Sequence, residues 1–187
     1  MAASDFQNST PGPRGSHDPL STAELVARLD EEVNRAGRQR TALSCLLLSL
    51  DDVEELARSH GEELPAQALA YLGAALGREL RRFDRVGHAA DGELLVLLPG
   101  ADAPRGEVVA RRALRRLHAV KIEVEGQRRP LRISVGIAAW REGLSGEQLL
   151  SQTRIAALRE ESVQEVPTGP SERPGSHTDE LPSLRRS

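Results

Sequence analysis

Two apolar runs of strand length set the fold class of this chain. Residues 41–50 are mostly apolar, and residues 93–98 form a second run that Pro99 and Gly100 close. Runs of this length and composition are typical of strands that are covered on both faces. Because only 2% of the residues are aromatic, leucine, valine, isoleucine and alanine must fill the core. The sequence therefore predicts a buried sheet between layers of helix.

Helix signals flank both runs. Capping boxes that begin at Ser21 and Ser145 predict the start of the first and the last helix. A longer helix in the middle of the chain carries an apolar face at helical spacing. That face consists of Leu69, Leu72, Leu76, Leu80 and Phe83. The predicted helices cover residues 21–37, 51–61, 65–83, 104–118 and 145–161.

Two further stretches alternate between apolar and polar residues. Ile122 and Val124 alternate with charged residues, and residues 131–138 alternate in the same way. This alternation predicts half-covered strands, joined in a hairpin around residues 126–127. Together with the two apolar runs, the order of elements predicts an α/β (α+β) sandwich. Its central sheet is predicted to be five-stranded, mainly antiparallel and flanked by helices.

The two ends of the chain differ from its middle. Residues 1–17 and 162–187 are rich in serine, proline, glycine and charge, and they lack apolar periodicity. Such segments bury too little surface to offset the entropy lost on ordering. We therefore expect a disordered N-terminal tail, one folded domain over residues 18–161 and a disordered C-terminal tail.

Charge and composition limit the classes of function. The net charge of −3 gives no overall attraction to nucleic acid or to an anionic membrane. The single cysteine, Cys45, has no partner for an internal disulfide, which indicates a reducing compartment. No segment approaches the roughly 20 apolar residues of a membrane helix. We therefore expect a cytoplasmic protein without membrane insertion or a nucleic-acid partner.

One segment resembles a known family. Residues 81–84, Arg-Arg-Phe-Asp, precede an apolar hairpin that ends at Pro99, and together they resemble the signature hairpin of the GGDEF family, the bacterial diguanylate cyclases. The order and spacing of residues 18–160 resemble the same family. This resemblance implies a fold similar to the nucleotidyl cyclases and polymerase palms. Counted back from Pro99, the letters Gly-Gly-Asp-Glu-Phe fall on Ala90, Asp91, Gly92, Glu93 and Leu94.

The resemblance implies that the catalytic positions are degenerate. Cyclases of this family join two GTP molecules, using two divalent cations that carboxylates hold. At the matching positions, Ser49 replaces the first metal aspartate, Ala57 replaces the purine-binding asparagine and Gly92 replaces the hairpin carboxylate. Ala90 and Asp91 replace the glycines that let the backbone approach a triphosphate.

Of the five hairpin letters only Glu93 is kept, because Leu94 replaces the final phenylalanine. The lysine of the last helix is replaced by Glu161 or its neighbour. A single carboxylate on a hairpin is expected to be solvated rather than metal-bound. We therefore predict that the chain is no enzyme, holds no metal and needs no cofactor.

A second motif of the family is complete. The inhibitory Arg-x-x-Asp motif falls on Arg81 and Asp84, and a family arginine on the following helix falls on Arg112. The resemblance implies a site for cyclic di-GMP, with arginine on phosphate or the guanine O6 and N7 atoms and aspartate on the guanine N1 and N2 donors. A structural role explains the same residues. Arginine in a last helical turn is favoured by the helix dipole, and Asp84 can end the helix.

Two functions therefore remain open. In the first, the chain is an inactive GGDEF domain that binds cyclic di-GMP through Arg81, Asp84 and Arg112 and thereby changes its contacts with a partner. In the second, it is an interaction or scaffold module without nucleotide binding, which acts through a protein partner or through self-association. An active diguanylate cyclase is a residual third possibility, against which Ser49 and Gly92 speak.

Overall fold

The computed structural model describes residues 19–164 except 52, 91, 119–120 and 125–126. The predicted N-terminal tail lies outside this range, and residues 162–164 of the predicted C-terminal tail belong to the last helix. The helices are α1 (Thr22–Gln39), α2 (Val53–His60), α3 (Glu63–Gly77), α4 (Ala103–Leu117) and α5 (Gly146–Gln164). The strands are β1 (Leu43–Leu50), β2 (Arg85–Ala90), β3 (Glu93–Pro99), β4 (Lys121–Val124), β5 (Gln127–Pro130) and β6 (Ile133–Ala139).

Four of the strands form one antiparallel sheet in the order β2-β3-β1-β6. Helices α3 and α4 cover one face of this sheet, and α1 and α5 cover the other. Each of these four helices buries apolar residues against the sheet, as a helix in such a layer must. The predicted α+β sandwich with a mainly antiparallel sheet is confirmed.

Strand β1 is buried on both faces, as its apolar run predicts. Leu46, Leu48 and Leu50 pack with the apolar faces of α3 and α4. Cys45 and Leu47 pack on the opposite side, with residues of α1 and α5. Burial raises the pKa of the Cys45 thiol to about 12, so the thiol stays protonated at neutral pH and is a poor nucleophile.

The sheet differs from the prediction in its fifth strand. Strand β4 pairs with β5 in a separate two-stranded sheet, while β6 pairs with β1. The predicted hairpin between residues 121–125 and 131–138 is therefore wrong, and the central sheet has four strands within the described range. Only two residues separate β4 from β5, and a connection of that length fixes the pairing locally.

Helix α3 ends earlier than predicted, at Gly77 rather than at residue 83. Leu69, Leu72 and Leu76 are buried on its inner face, as expected. Because the chain leaves the helix after Gly77, helical spacing no longer determines where Phe83 lies. Phe83 is 72% exposed, so the prediction that it faces the core is wrong.

Both predicted capping boxes are confirmed. The backbone N–H of Ser21 donates to Glu24 Oε2 at 2.9 Å, and the backbone N–H of Glu24 donates to Ser21 Oγ at 3.4 Å. Ser145 and Gln148 make the corresponding pair, at 3.0 Å and 3.2 Å. These bonds satisfy donors of the first turn and fix where α1 and α5 begin. Among the described helices, none is both long and apolar enough to cross a membrane.

The close approach of β6 to α5 generates a test of the fold. A Cβ added at Gly136 would collide with the backbone of Thr153 and Ala157 on α5. Because backbone cannot move aside as a flexible side chain can, we expect Gly136→Ala to lower the free energy of unfolding by about 1–3 kcal/mol. Denaturant unfolding of the purified variant measures this change.

Gly37→Ala is the matched control, since the added Cβ meets only the Trp140 ring, at 3.7 Å. Gly37 lies inside α1, where alanine is favoured over glycine by about 1 kcal/mol. The same substitution should therefore stabilise at residue 37 and destabilise at residue 136. An unchanged midpoint for Gly136→Ala would contradict the packing described.

Candidate functional site

Three polar side chains lie in one row across the sheet. Ser49 of β1 is directly opposite Glu93 of β3 and also opposite Ser134 of β6. Residues that are directly opposite one another in a sheet project from the same face. The row lies on the face covered by α1 and α5, because Leu47 of the same strand packs in that core. Ser49, which replaces the first metal aspartate of the family, and the retained Glu93 are therefore neighbours.

The carboxylate of Glu93 is held by an arginine of α5. Arg154 Nη2 donates to Glu93 Oε2 at 2.6 Å, and Arg154 Nε lies 3.0 Å from Oε2 and 3.1 Å from Oε1. The Glu93 side chain is only 16% exposed. The hydrogen bonds to Glu93 raise the pKa of Arg154 above its ordinary value. The expectation that Glu93 is solvated is therefore wrong.

Sequence reasoning missed Arg154. The family resemblance weakens at this helix, where Glu161 or its neighbour replaces the family's lysine, and Arg154 stands 61 residues after Glu93. One signal was available: Leu150 and Ala157 of α5 pack in the core and Thr153 is fully buried, so position 154 borders the face turned toward the sheet. An arginine at that border can reach a carboxylate at the end of β3.

The hairpin is shaped by its glycine. Gly92 has φ +74°, and an added Cβ would collide with the Val53 side chain. The backbone N–H of Leu50 donates to the Gly92 carbonyl at 2.9 Å, which ties the hairpin to the end of β1. An acidic residue at position 92 would therefore meet both backbone strain and a steric clash.

The other degenerate positions are spread around this hairpin. Ala90 is exposed at the end of β2 opposite Glu93, Leu94 is completely buried beside Leu48, and Ala57 lies half-buried on α2. Asp91 lies outside the described residues. Across the described part of the chain, no group of three histidine, cysteine, aspartate or glutamate side chains could hold a metal ion.

Arg81 and Asp84 form a tight turn between α3 and β2. The backbone N–H of Asp84 donates to the carbonyl of Arg81 at 3.0 Å, and the backbone N–H of Arg81 donates to Asp84 Oδ2 at 2.7 Å. Asp84 is only 5% exposed, whereas Arg81 is exposed. The carboxylate of Asp84 thus stabilises the turn through a charge-assisted hydrogen bond.

Arg112 reaches the same turn from α4. Its Nη2 donates to the carbonyl of Glu79 at 2.6 Å, and its Nε lies 3.5 Å from the Glu79 carboxylate. Arg116 Nε lies 3.7 Å from the same carboxylate. Since Glu79 stands two residues before Arg81, Arg112 lies near the segment that carries the other two predicted ligand-binding residues, the exposed Arg81 and the buried Asp84. We call Arg81, Asp84 and Arg112 the arginine cluster.

The sequence matches the family described as "Diguanylate cyclase, GGDEF domain" over residues 21–164, which is more than half of the chain. The chain therefore belongs to the GGDEF family. A comparison with curated protein sequences gave no match.

Three solved structures illustrate the likeness. Diguanylate cyclase SiaD of Pseudomonas aeruginosa, in complex with its activator SiaC, has a TM-score of 0.72 at 23% identity, covering 78% of this chain and 56% of that chain. The GGDEF domain of DgcB from Caulobacter crescentus, in complex with c-di-GMP, has a TM-score of 0.72 at 14% identity, covering 82% and 92%. The GGDEF domain of FimX from Pseudomonas aeruginosa has a TM-score of 0.69 at 16% identity, covering 78% and 93%.

At these identities the likenesses show the fold alone. This chain spans little more than half of the SiaD chain but nearly all of the two isolated GGDEF domains. The matched part of this chain therefore corresponds to the GGDEF domain.

The Glu93–Arg154 pair can be tested by a double-mutant cycle. Arg154→Ala leaves the largely buried carboxylate without its bidentate partner, so we expect the free energy of unfolding to fall by about 1–2 kcal/mol. In the Glu93→Ala background the same change should cost much less, because its partner is already gone. Denaturant unfolding of the four proteins measures the coupling.

Arg105→Ala is the matched control. Arg105 is a 68% exposed arginine whose nearest acidic atom, on Asp102, lies 4.0 Å away. Removing it should change the free energy of unfolding by no more than about 0.5 kcal/mol. Purely additive effects of Glu93→Ala and Arg154→Ala would show that the pair contributes nothing to stability.

Proposed function

We propose that this chain is a catalytically inactive GGDEF domain that acts by binding rather than by turnover. The observation that carries the proposal is the pairing of Glu93 with Arg154 in the row formed with Ser49 and Ser134. In an active cyclase of the family, this region provides carboxylates for two divalent cations. Here the described row provides two hydroxyls, from Ser49 and Ser134, and the carboxylate of Glu93, which a guanidinium already neutralises.

The residues present do not fit a pair of divalent cations. Magnesium and similar hard cations bind through several anionic oxygens in a fixed geometry. Arg154 places a positive charge within 2.6 Å of Glu93 Oε2, and that charge repels a cation. An acidic residue at position 92 would strain the backbone, so the local conformation opposes a second carboxylate as a metal ligand.

We expect the purified protein, given GTP with Mg²⁺ or Mn²⁺, to form no cyclic di-GMP. The physical reason is missing negative charge: in the described row of Ser49, Glu93 and Ser134, the carboxylate of Glu93 is neutralised by Arg154, and divalent cations need several anionic oxygens. Chromatographic separation of the nucleotides measures the product, and an active GGDEF domain assayed in parallel shows that the conditions support turnover. Metal-dependent product that disappears in a Glu93→Ala variant would contradict the proposal.

The binding that we propose is to cyclic di-GMP at the arginine cluster. Arg112 lies beside the turn that carries Arg81, which supports a shared site. A planar guanidinium matches phosphate oxygens, or the O6 and N7 atoms of guanine, through two parallel hydrogen bonds. DgcB, one of the proteins with a similar fold, was solved in complex with this ligand. Binding would act as a signal by changing the surface offered to a partner.

A second candidate function is an interaction module that binds no nucleotide. It is favoured by one observation: the cluster already has internal partners, since Asp84 Oδ2 accepts from Arg81 and Arg112 binds Glu79. Those contacts give the residues a structural role without any ligand. The chain would then act through a protein partner or through self-association.

A calorimetric titration with cyclic di-GMP separates the two candidates. We expect saturation below about 100 μM ligand, which corresponds to a Kd of about 10 μM and a binding free energy of about −7 kcal/mol. Arg81→Ala should weaken binding about five- to hundred-fold, because each lost charge-assisted hydrogen bond costs about 1–3 kcal/mol. Asp84→Asn should also weaken it, and this variant keeps an oxygen that can accept from the backbone N–H of Arg81.

Arg111→Ala is the control for Arg112→Ala. The two arginines are adjacent on α4, but Arg111 pairs with Glu107 of its own helix and is 70% exposed. Only the Arg112 variant should lose affinity. No heat with the unmodified protein at about 100 μM ligand would favour the interaction module instead.

A further inference from the structure

The turn between α3 and β2 presents an aromatic ring to solvent. Phe83 is 72% exposed, although only 2% of the residues of this chain are aromatic. Arg81 and Asp84 close this turn through their hydrogen bonds, and Arg82 and Phe83 lie at its tip. Arg82 is exposed as well. The tip therefore displays a planar cation next to an aromatic ring.

This turn is held rigidly. Besides the two hydrogen bonds between Arg81 and Asp84, the side chain of Arg85 spans the turn from the other side. Arg85 Nη1 donates to the carbonyls of Arg82 and Asp84, both at 2.8 Å. A turn fixed by side chains on both flanks presents its tip in one geometry. Less ordering entropy is then lost when the tip binds a ligand.

Cationic side chains contact the segment that leads into this turn. Arg112 and Arg116, with side chains 45% and 56% exposed, approach the turn from α4 through Glu79. Glu79 is itself only 25% exposed. One exposed ring among several arginines is a small apolar surface, far below the roughly 800 Å² per partner of a stable protein interface. It matches a planar, anionic small molecule better than a second protein.

We propose that Phe83 is a stacking platform for a purine base of the ligand, with Arg82 beside it and with Arg81 and Arg112 on the phosphates. This inference rests on the proposed function and adds to it the residue that would recognise a base as distinct from a phosphate. Aromatic rings stack on nucleobases through their π faces, and a neighbouring arginine strengthens the contact. Such stacking would explain why the ring of Phe83 is exposed to solvent.

The test is a set of Phe83 variants titrated with cyclic di-GMP by calorimetry. Phe83→Ala and Phe83→Leu should bind about five- to hundred-fold more weakly, and leucine should not rescue, because it retains apolar volume but has no π face. Phe83→Trp should bind at least as tightly as the unmodified protein. In that variant, ligand should also quench part of the tryptophan emission, whereas the emission of the unmodified protein, which comes from Trp140, should change little.

Tyr71→Ala is the matched control, since Tyr71 is a 52% exposed ring on α3. It should leave affinity unchanged. Melting temperatures of the Phe83 variants should equal that of the unmodified protein, because the side chain buries little surface.

The outcomes separate the two ideas. If the unmodified protein binds and Arg81→Ala does not, but Phe83→Leu binds as tightly as the unmodified protein, the stacking role is wrong and the proposed function stands. Weaker binding by both Phe83→Ala and Phe83→Tyr would likewise overturn it, since tyrosine keeps the ring. If the unmodified protein binds no cyclic di-GMP, the proposed function and this inference fail together.

Discussion

The two antiparallel ladders of strand β1 are the constraint on which the rest of the structure depends. β1 pairs with β3 along one edge and with β6 along the other, and it is buried on both faces. Alternate residues of β1 thus pack in two separate cores, one under α3 and α4 and one under α1 and α5. The same pairing brings Ser49 between Glu93 and Ser134. The geometry of the candidate site follows from the register of the core.

That register also determines which charged groups meet at the candidate site. A set of carboxylates converging on one point repel one another unless cations neutralise them. In this chain Ser49 carries no charge and Gly92 no side chain, while Glu93 is neutralised by Arg154 from the helix above. The pair joins the end of β3 to α5 through three donor–acceptor contacts. A site that binds cations in a cyclase has become, in our proposal, a contact within the fold.

The sequence predicted the parts of this structure that local chemistry decides. Mostly apolar runs predicted β1 and β3, and hydrogen-bonding side chains at Ser21 and Ser145 predicted where α1 and α5 begin. The sequence did not predict the features that depend on a distant contact or on a change of backbone conformation. In the sequence, apolar residues keep helical spacing as far as Phe83, but α3 ends at Gly77. The pairing of Glu93 with Arg154 joins residues 61 positions apart, which no local pattern in a single sequence reports.

The arginine cluster shows why motif letters alone do not establish a ligand site. The turn needs an acceptor for the backbone N–H of Arg81, and the carboxylate of Asp84 supplies it, so the fold by itself accounts for Asp84. Arg112 likewise satisfies Glu79. The fold does not account for Phe83, because an aromatic ring in contact with water for most of its surface contributes little to stability. The case for a bound base therefore depends less on the two letters of the motif than on the residue between them.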